Sequence, residues 1–86
     1  FSYPNPFNPS TNILYYLQEK SDVEIIIYNA LGIIIKEYTI TGQAPGDHSI
    51  QWSAMSHQGY AIPAGIYIYT IKTNLERLSG KMIFIK

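Results

Sequence analysis

From Asn12 onward, apolar and polar positions along this chain recur with a period of two. Ile13, Tyr15 and Leu17 alternate with Asn12, Leu14 and Tyr16. Val23, Ile25 and Ile27 alternate with Glu24, Ile26 and Tyr28. Alternation of this kind places one set of side chains on each face of a strand. Further strands are predicted over Ile33–Ile40, His48–Trp52, Gly65–Thr73 and Arg77–Lys86. Ala30-Leu31-Gly32, the Thr41–Asp47 cluster and Asn74-Leu75-Glu76 supply the turns, and Ser53–Ala64 is the longest loop. No stretch repeats apolar residues at helical spacing, so no helix beyond a single turn is expected. Strands separated by turns about 8–12 residues apart are the signature of a sandwich or a small barrel.

The opening residues follow a different rule. Pro4, Pro6 and Pro9 recur among Asn5, Asn8 and Ser10. Proline fixes φ, biases the preceding residue to extended conformations and cannot donate to a sheet ladder. Tyr3–Pro9 therefore reads as extended, polyproline-like chain laid along a domain edge, with residues 1–11 as a Pro-rich edge segment.

The predicted core is Ile13, Tyr15, Leu17, Val23, Ile25, Ile27, Ile35, Ile50, Trp52, Tyr67, Tyr69, Ile71, Met82 and Phe84. Near the end, Met82/Phe84 and Ile83/Ile85 are both apolar, so alternation does not choose between them. Four isoleucines, Ile26, Ile34, Ile66 and Ile68, fall on the side opposite the core. A monomer seldom exposes a large apolar patch. Either something covers this face, or the face assignment is off by one residue.

Composition narrows the function. With 86 residues, a single domain spanning 1–86 is the ceiling. Six basic and six acidic residues cancel, and charged residues make up only 14% of the chain. Nucleic-acid binding rests on clustered Lys and Arg, and anionic lipid calls for a polybasic segment; neither is present. No apolar run approaches the ~20 residues of a membrane-spanning helix, so membrane insertion is not expected. The absence of cysteine excludes disulfides and thiolate metal sites. The first residue is Phe1, which suggests a fragment or a processed product whose export signal lies elsewhere.

Candidate chemistry is sparse. His48 and His57 are the only histidines, and a metal site needs three or four converging ligands. His48 is expected to hydrogen-bond backbone at a turn. Ser, His and Asp occur, but not in a nucleophile-elbow sequence. The acidic residues, Glu19, Asp22, Glu24, Glu37, Asp47 and Glu76, are scattered, with no pair spaced to share a site. No catalytic, metal or cofactor-binding residues are assigned, and the chain is read as non-enzymatic. The aromatic content of 14% is notable. Tyr15, Tyr67, Tyr69 and Trp52 fall on inward faces as core with a polar handle, whereas Tyr16, Tyr28, Tyr38 and Tyr60 are freer.

Several segments together resemble a family. They are Tyr3-Pro4-Asn5-Pro6-Phe7-Asn8-Pro9-Ser10-Thr11, Asn29-Ala30-Leu31-Gly32 after an apolar strand, Ala44-Pro45-Gly46-Asp47-His48, the single Trp52, Ala64-Gly65-Ile66-Tyr67-Ile68-Tyr69, and Lys81-Met82-Ile83-Phe84-Ile85-Lys86. In order and spacing these resemble the C-terminal sorting domains of the type IX secretion system. They are also similar to the Ig-like domain of flagellar hook-capping proteins. The resemblance implies an all-β, immunoglobulin-like antiparallel β-sandwich of about seven strands. It further implies a secreted or cell-surface protein that reaches its place through the periplasm and outer membrane. The expected partners are an outer-membrane translocon, a shuttle and a sortase, with a cargo domain on the N-terminal side. The recognition residues it implies are Pro4, Asn5, Pro6, Phe7, Gly65, Tyr67, Lys81 and Lys86. Where the family often carries an acidic turn after its tryptophan, this chain has Ser53–Gly59, so a cation site there is not expected. Two other readings stay open: a structural subunit that self-associates into fibres through weakly charged edge strands, and a carbohydrate-binding module.

Overall fold

The computed structural model describes residues 1–7, 10–56 and 59–85. Seven strands form: β1 (Ser2–Tyr3), β2 (Thr11–Leu17), β3 (Ser21–Asn29), β4 (Ile34–Gln43), β5 (Gly46–Trp52), β6 (Gly65–Lys72) and β7 (Arg77–Phe84). They make a three-stranded sheet in the order β1-β2-β5 and a four-stranded sheet in the order β4-β3-β6-β7, with every pairing between strands antiparallel. This is the Ig-like antiparallel sandwich that the resemblance implied. Each strand pairs with a period of two, so one face of each sheet is apolar and the two faces close on each other.

The core follows the inward set closely. Ile13, Tyr15, Leu17, Val23, Ile25, Ile27, Trp52, Tyr67, Tyr69, Ile71, Met82 and Phe84 are all buried, with Ile35 and Ile50 packed at its border. The ambiguity at the last strand is settled: Met82 pairs with the inward Tyr67, and Phe84 is buried with it. Phe7, Ala54 and Ile62 join the core although nothing in the alternation selects them.

Two expectations are corrected. The Thr41–Asp47 segment is largely strand, because β4 runs to Gln43 and β5 begins at Gly46. Long-range bonds hold it extended: Gly42 N–H donates to Asp22 Oδ1 (2.9 Å), and the Tyr15 hydroxyl donates to Gln43 Oε1 (2.7 Å). The opening segment is not a continuous extended run along one edge. Ser2 and Tyr3 pair with β2, the chain bends through Pro4–Pro6, and Phe7 bridges to Phe84 on the other sheet. The arm thus passes from one sheet to the other and closes that side of the sandwich.

The turn between β3 and β4 shows how local chemistry fixes a hairpin. Asn29 Oδ1 accepts from both Leu31 N–H (2.9 Å) and Ile33 N–H (3.0 Å). Gly32 sits at φ 84°, where a side chain would be strained. Its tip presents Leu31 and Ile33 to solvent.

Candidate functional site

The outer edge of β7 is occupied by the N-terminal arm. Asn5 stands beside it as a strand residue would: its side-chain Nδ2 donates to the Lys81 carbonyl (2.9 Å), and its Oδ1 accepts from Ile83 N–H (3.0 Å). Two residues on, Phe7 N–H donates to the Ile83 carbonyl (2.9 Å), and Ile85 N–H donates to the Phe7 carbonyl (3.0 Å). One side-chain amide and the backbone N–H and C=O of Phe7 therefore satisfy this edge from Lys81 to Ile85, where the flanking prolines have no N–H of their own to give. The buried Thr11 hydroxyl donates to the Pro4 carbonyl (2.8 Å) and ties the arm's bend to the start of β2.

The arm is also pinned from inside. The Phe7 ring, 1% exposed, stacks on Phe84 at 5.2 Å between centroids and tilts against Trp52 at 5.6 Å. Trp52 meets the edge of Tyr67 at 5.5 Å. The polar ends of these rings are satisfied by the Ser53–Ala64 loop: Trp52 Nε1 donates to the Met55 carbonyl (2.9 Å), and the Tyr67 hydroxyl donates to the Pro63 carbonyl (2.6 Å). Burial pushes the Tyr67 phenol above its ordinary range, so it is the protonated donor here.

The residues expected to carry recognition are therefore brought to one end of the sandwich. Pro4, Asn5 and Pro6 lie on its surface, Lys81 projects from β7, and Gly65 faces Phe84 at the start of β6. Phe7 and Tyr67 are buried, Tyr67 to 3% exposure, so they belong to the framework beneath that surface and not to its exterior. Lys86 lies outside the described residues. Trp52 and the loop carbonyls that hold it are part of the same assembly; only Trp52 carried a signal in the sequence.

The isoleucine face divides in the same way. Ile34, Ile66 and Ile68 are 49%, 46% and 39% exposed on the outer side of the four-stranded sheet. Ile26 is half-buried, a correction that follows from its place on the interior strand β3, flanked by Glu37 on β4 and Thr70 on β6. Ile34, Ile66 and Ile68 thus lie on the side of the sheet away from the core.

His48 Nε2 is hydrogen-bonded to the Ala44 carbonyl (2.6 Å), and its ring stacks on Tyr15. His57 lies outside the described residues. Among the described residues no three His, Asp or Glu side chains converge as a metal site would require, and no helix is long and apolar enough to cross a membrane. On the outer side of the three-stranded sheet, the exposed Phe1 and Tyr3 flank a trough of about 520 Å³ with Asn12, Leu14 and Ser49; it continues past Tyr16 and Asp47.

A small antiparallel sandwich with a prolyl arm locked onto its last strand defines a domain of the Ig-like class. The chain belongs to the FlgD Ig-like domain family, whose model matches residues 8–76. Two solved structures are similar. FlgD from P. aeruginosa superposes with a TM-score of 0.68 at 20% identity, over 86% of this chain and 57% of that one. The dimeric latent PorU from Porphyromonas gingivalis superposes with a TM-score of 0.78 at 22% identity, over 99% of this chain and 9% of that one. The chain thus spans part of each. No curated protein matches it.

Proposed function

We propose that this domain is a sorting and export signal in folded form, a C-terminal domain that directs a secreted cargo protein through a type IX secretion system to the bacterial surface. It acts by protein–protein recognition and performs no chemistry of its own. One observation carries the reading. The segments that resemble such domains are far apart in sequence, yet Asn5 bonds Lys81 and Ile83, and Phe7 joins Phe84 and, through Trp52, Tyr67. A receptor could read their exposed residues, Pro4, Asn5, Pro6 and Lys81, at one place. The translocon, shuttle and sortase are the partners this reading entails, and Pro4, Pro6 and Lys81 are the exposed side chains offered to them.

The test is a reporter fused ahead of the chain and expressed in a bacterium that carries the system. Removing residues 81–86 is expected to leave the reporter in the periplasm. Because that deletion also removes buried Met82 and Phe84, a Lys81→Glu variant with the fold confirmed by circular dichroism supplies the second arm. Normal surface display of both variants would overturn the proposal.

A second reading has its own support. Phe1, Tyr3 and Tyr16 are exposed on the outer side of the three-stranded sheet beside Asn12, Ser49 and Asp47, and aromatic rings flanked by polar groups are what a neutral glycan chain stacks on. Titration against a glycan panel decides it: no binding at millimolar sugar removes this reading and leaves the first untouched.

A further inference from the structure

The outer side of the four-stranded sheet carries two patterns at right angles. Along the strands it grades from apolar to charged. Register sets Ile66 beside Ile83, then Ile34, Tyr28, Ile68 and Lys81 in one row across the sheet, then Glu37, Ile26, Thr70 and Ser79. The last full row is Thr39, Glu24, Lys72 and Arg77. Across the strands the same surface splits by sign. Its exposed acids, Asp22, Glu24 and Glu37, stand on β3 and β4; its exposed bases, Lys72, Arg77 and Lys81, stand on β6 and β7.

We infer that this face is the contact surface for a second copy of the same chain, packed sheet to sheet about a two-fold axis that runs roughly along the strands between β3 and β6. That axis keeps each row over its own row, so Tyr28 of one copy meets Ile68 of the other and Glu24 meets Lys72. It also exchanges left and right, so the acidic half of one copy covers the basic half of the other. An in-plane axis across the strands would do neither: it would lay the apolar end on the charged end and acid on acid. The two patterns therefore select one symmetric arrangement, and a self-complementary patch is what a two-fold interface requires. Opposed charge halves fix the orientation, and like-charge overlap excludes the alternatives. Such a pair closes at two copies and builds no fibre. The inference stands independently of the sorting function.

Sedimentation equilibrium of the 86-residue chain tests it. A monomer–dimer equilibrium is expected, weakened by added salt. Glu24→Lys with Glu37→Lys makes both halves basic, and Lys72→Glu with Arg77→Glu makes both halves acidic. Each variant alone is expected to dimerise at least about tenfold more weakly, because like charges then face each other. Mixed in equal amounts, the two are expected to pair with each other, which also shows that both are folded. A chain that stays monomeric at millimolar concentration would overturn the inference, as would a dimer indifferent to both reversals or a mixture that fails to pair.

Discussion

The Tyr69 side chain occupies the space that a β-carbon on Gly80, its register partner on β7, would need. A methyl group at Gly80 would fall well inside van der Waals distance of the Tyr69 ring and hydroxyl. Gly80→Ala is therefore expected to destabilise the domain by about 1–3 kcal/mol, as overpacking does. Urea unfolding followed by Trp52 fluorescence measures the loss. With Tyr69→Leu in the background the ring atoms in question are gone, and the same substitution should cost clearly less. Equal costs in both backgrounds would mean that the ring is not the obstacle.

Asn5 replaces a strand residue by its side chain alone, so its removal exposes one N–H and one C=O of β7 without disturbing the core. Asn5→Ala should cost about 1–2 kcal/mol, the worth of two hydrogen bonds whose groups regain water. The sharper readout is amide exchange at Ile83, which should accelerate. Asn5→Asp keeps the acceptor for Ile83 N–H and loses only the donor to Lys81, so protection of the Ile83 amide should largely survive. Unchanged exchange in Asn5→Ala would show that the arm does not guard this edge.

Phe7 holds the arm from below. Phe7→Ala removes a ring buried against both Phe84 and Trp52 and should cost about 3–5 kcal/mol. Tyr60→Ala, at a residue 72% exposed, is the control and should stay within about 0.5 kcal/mol. Thermal unfolding of the pair separates a ring that anchors the sandwich from one that merely decorates it.

Burial of this kind marks where sequence reading succeeds and where it stops. Period-two alternation exposes the apolar inward residues of β2, β3 and β6, but passes over the buried Thr11 and Ser21, whose side chains are polar. It fails at β7, where Met82 to Ile85 are apolar throughout and only the pairing with Tyr67 decides. Phe7 was hidden among prolines with no period to place it, and Ala54 and Ile62 sit in a loop. The ends of β4 depend on Asp22 and Tyr15, residues far off in sequence, so turn composition at Thr41–Asp47 misleads. The motifs of the candidate site were legible as a resemblance. Their meeting at one end was not, since it depends on Asn5 crossing to β7. The charge split of the outer face is likewise a property of strand order, invisible in a chain whose net charge is zero.

Four tyrosines give the domain an alkaline limit. Burial raises the phenols of Tyr15, Tyr38, Tyr67 and Tyr69 above the ordinary value of 10.0. The folded state therefore holds these protons more tightly than the unfolded chain does. Below pH 10 all four are protonated in both states, and their contribution is fully present. Above it the unfolded chain loses protons first, and stability falls until the folded-state values are passed. Urea midpoints should thus be level from neutral pH to just below 10 and decline steeply beyond, with tyrosinate absorbance appearing together with unfolding. Tyr67 adds a specific reason, since its ionisation would abolish the bond to the Pro63 carbonyl. Tyr67→Phe should blunt the alkaline decline while lowering stability at neutral pH, and a variant with the same alkaline slope as the parent would show that this phenol does not contribute to the limit.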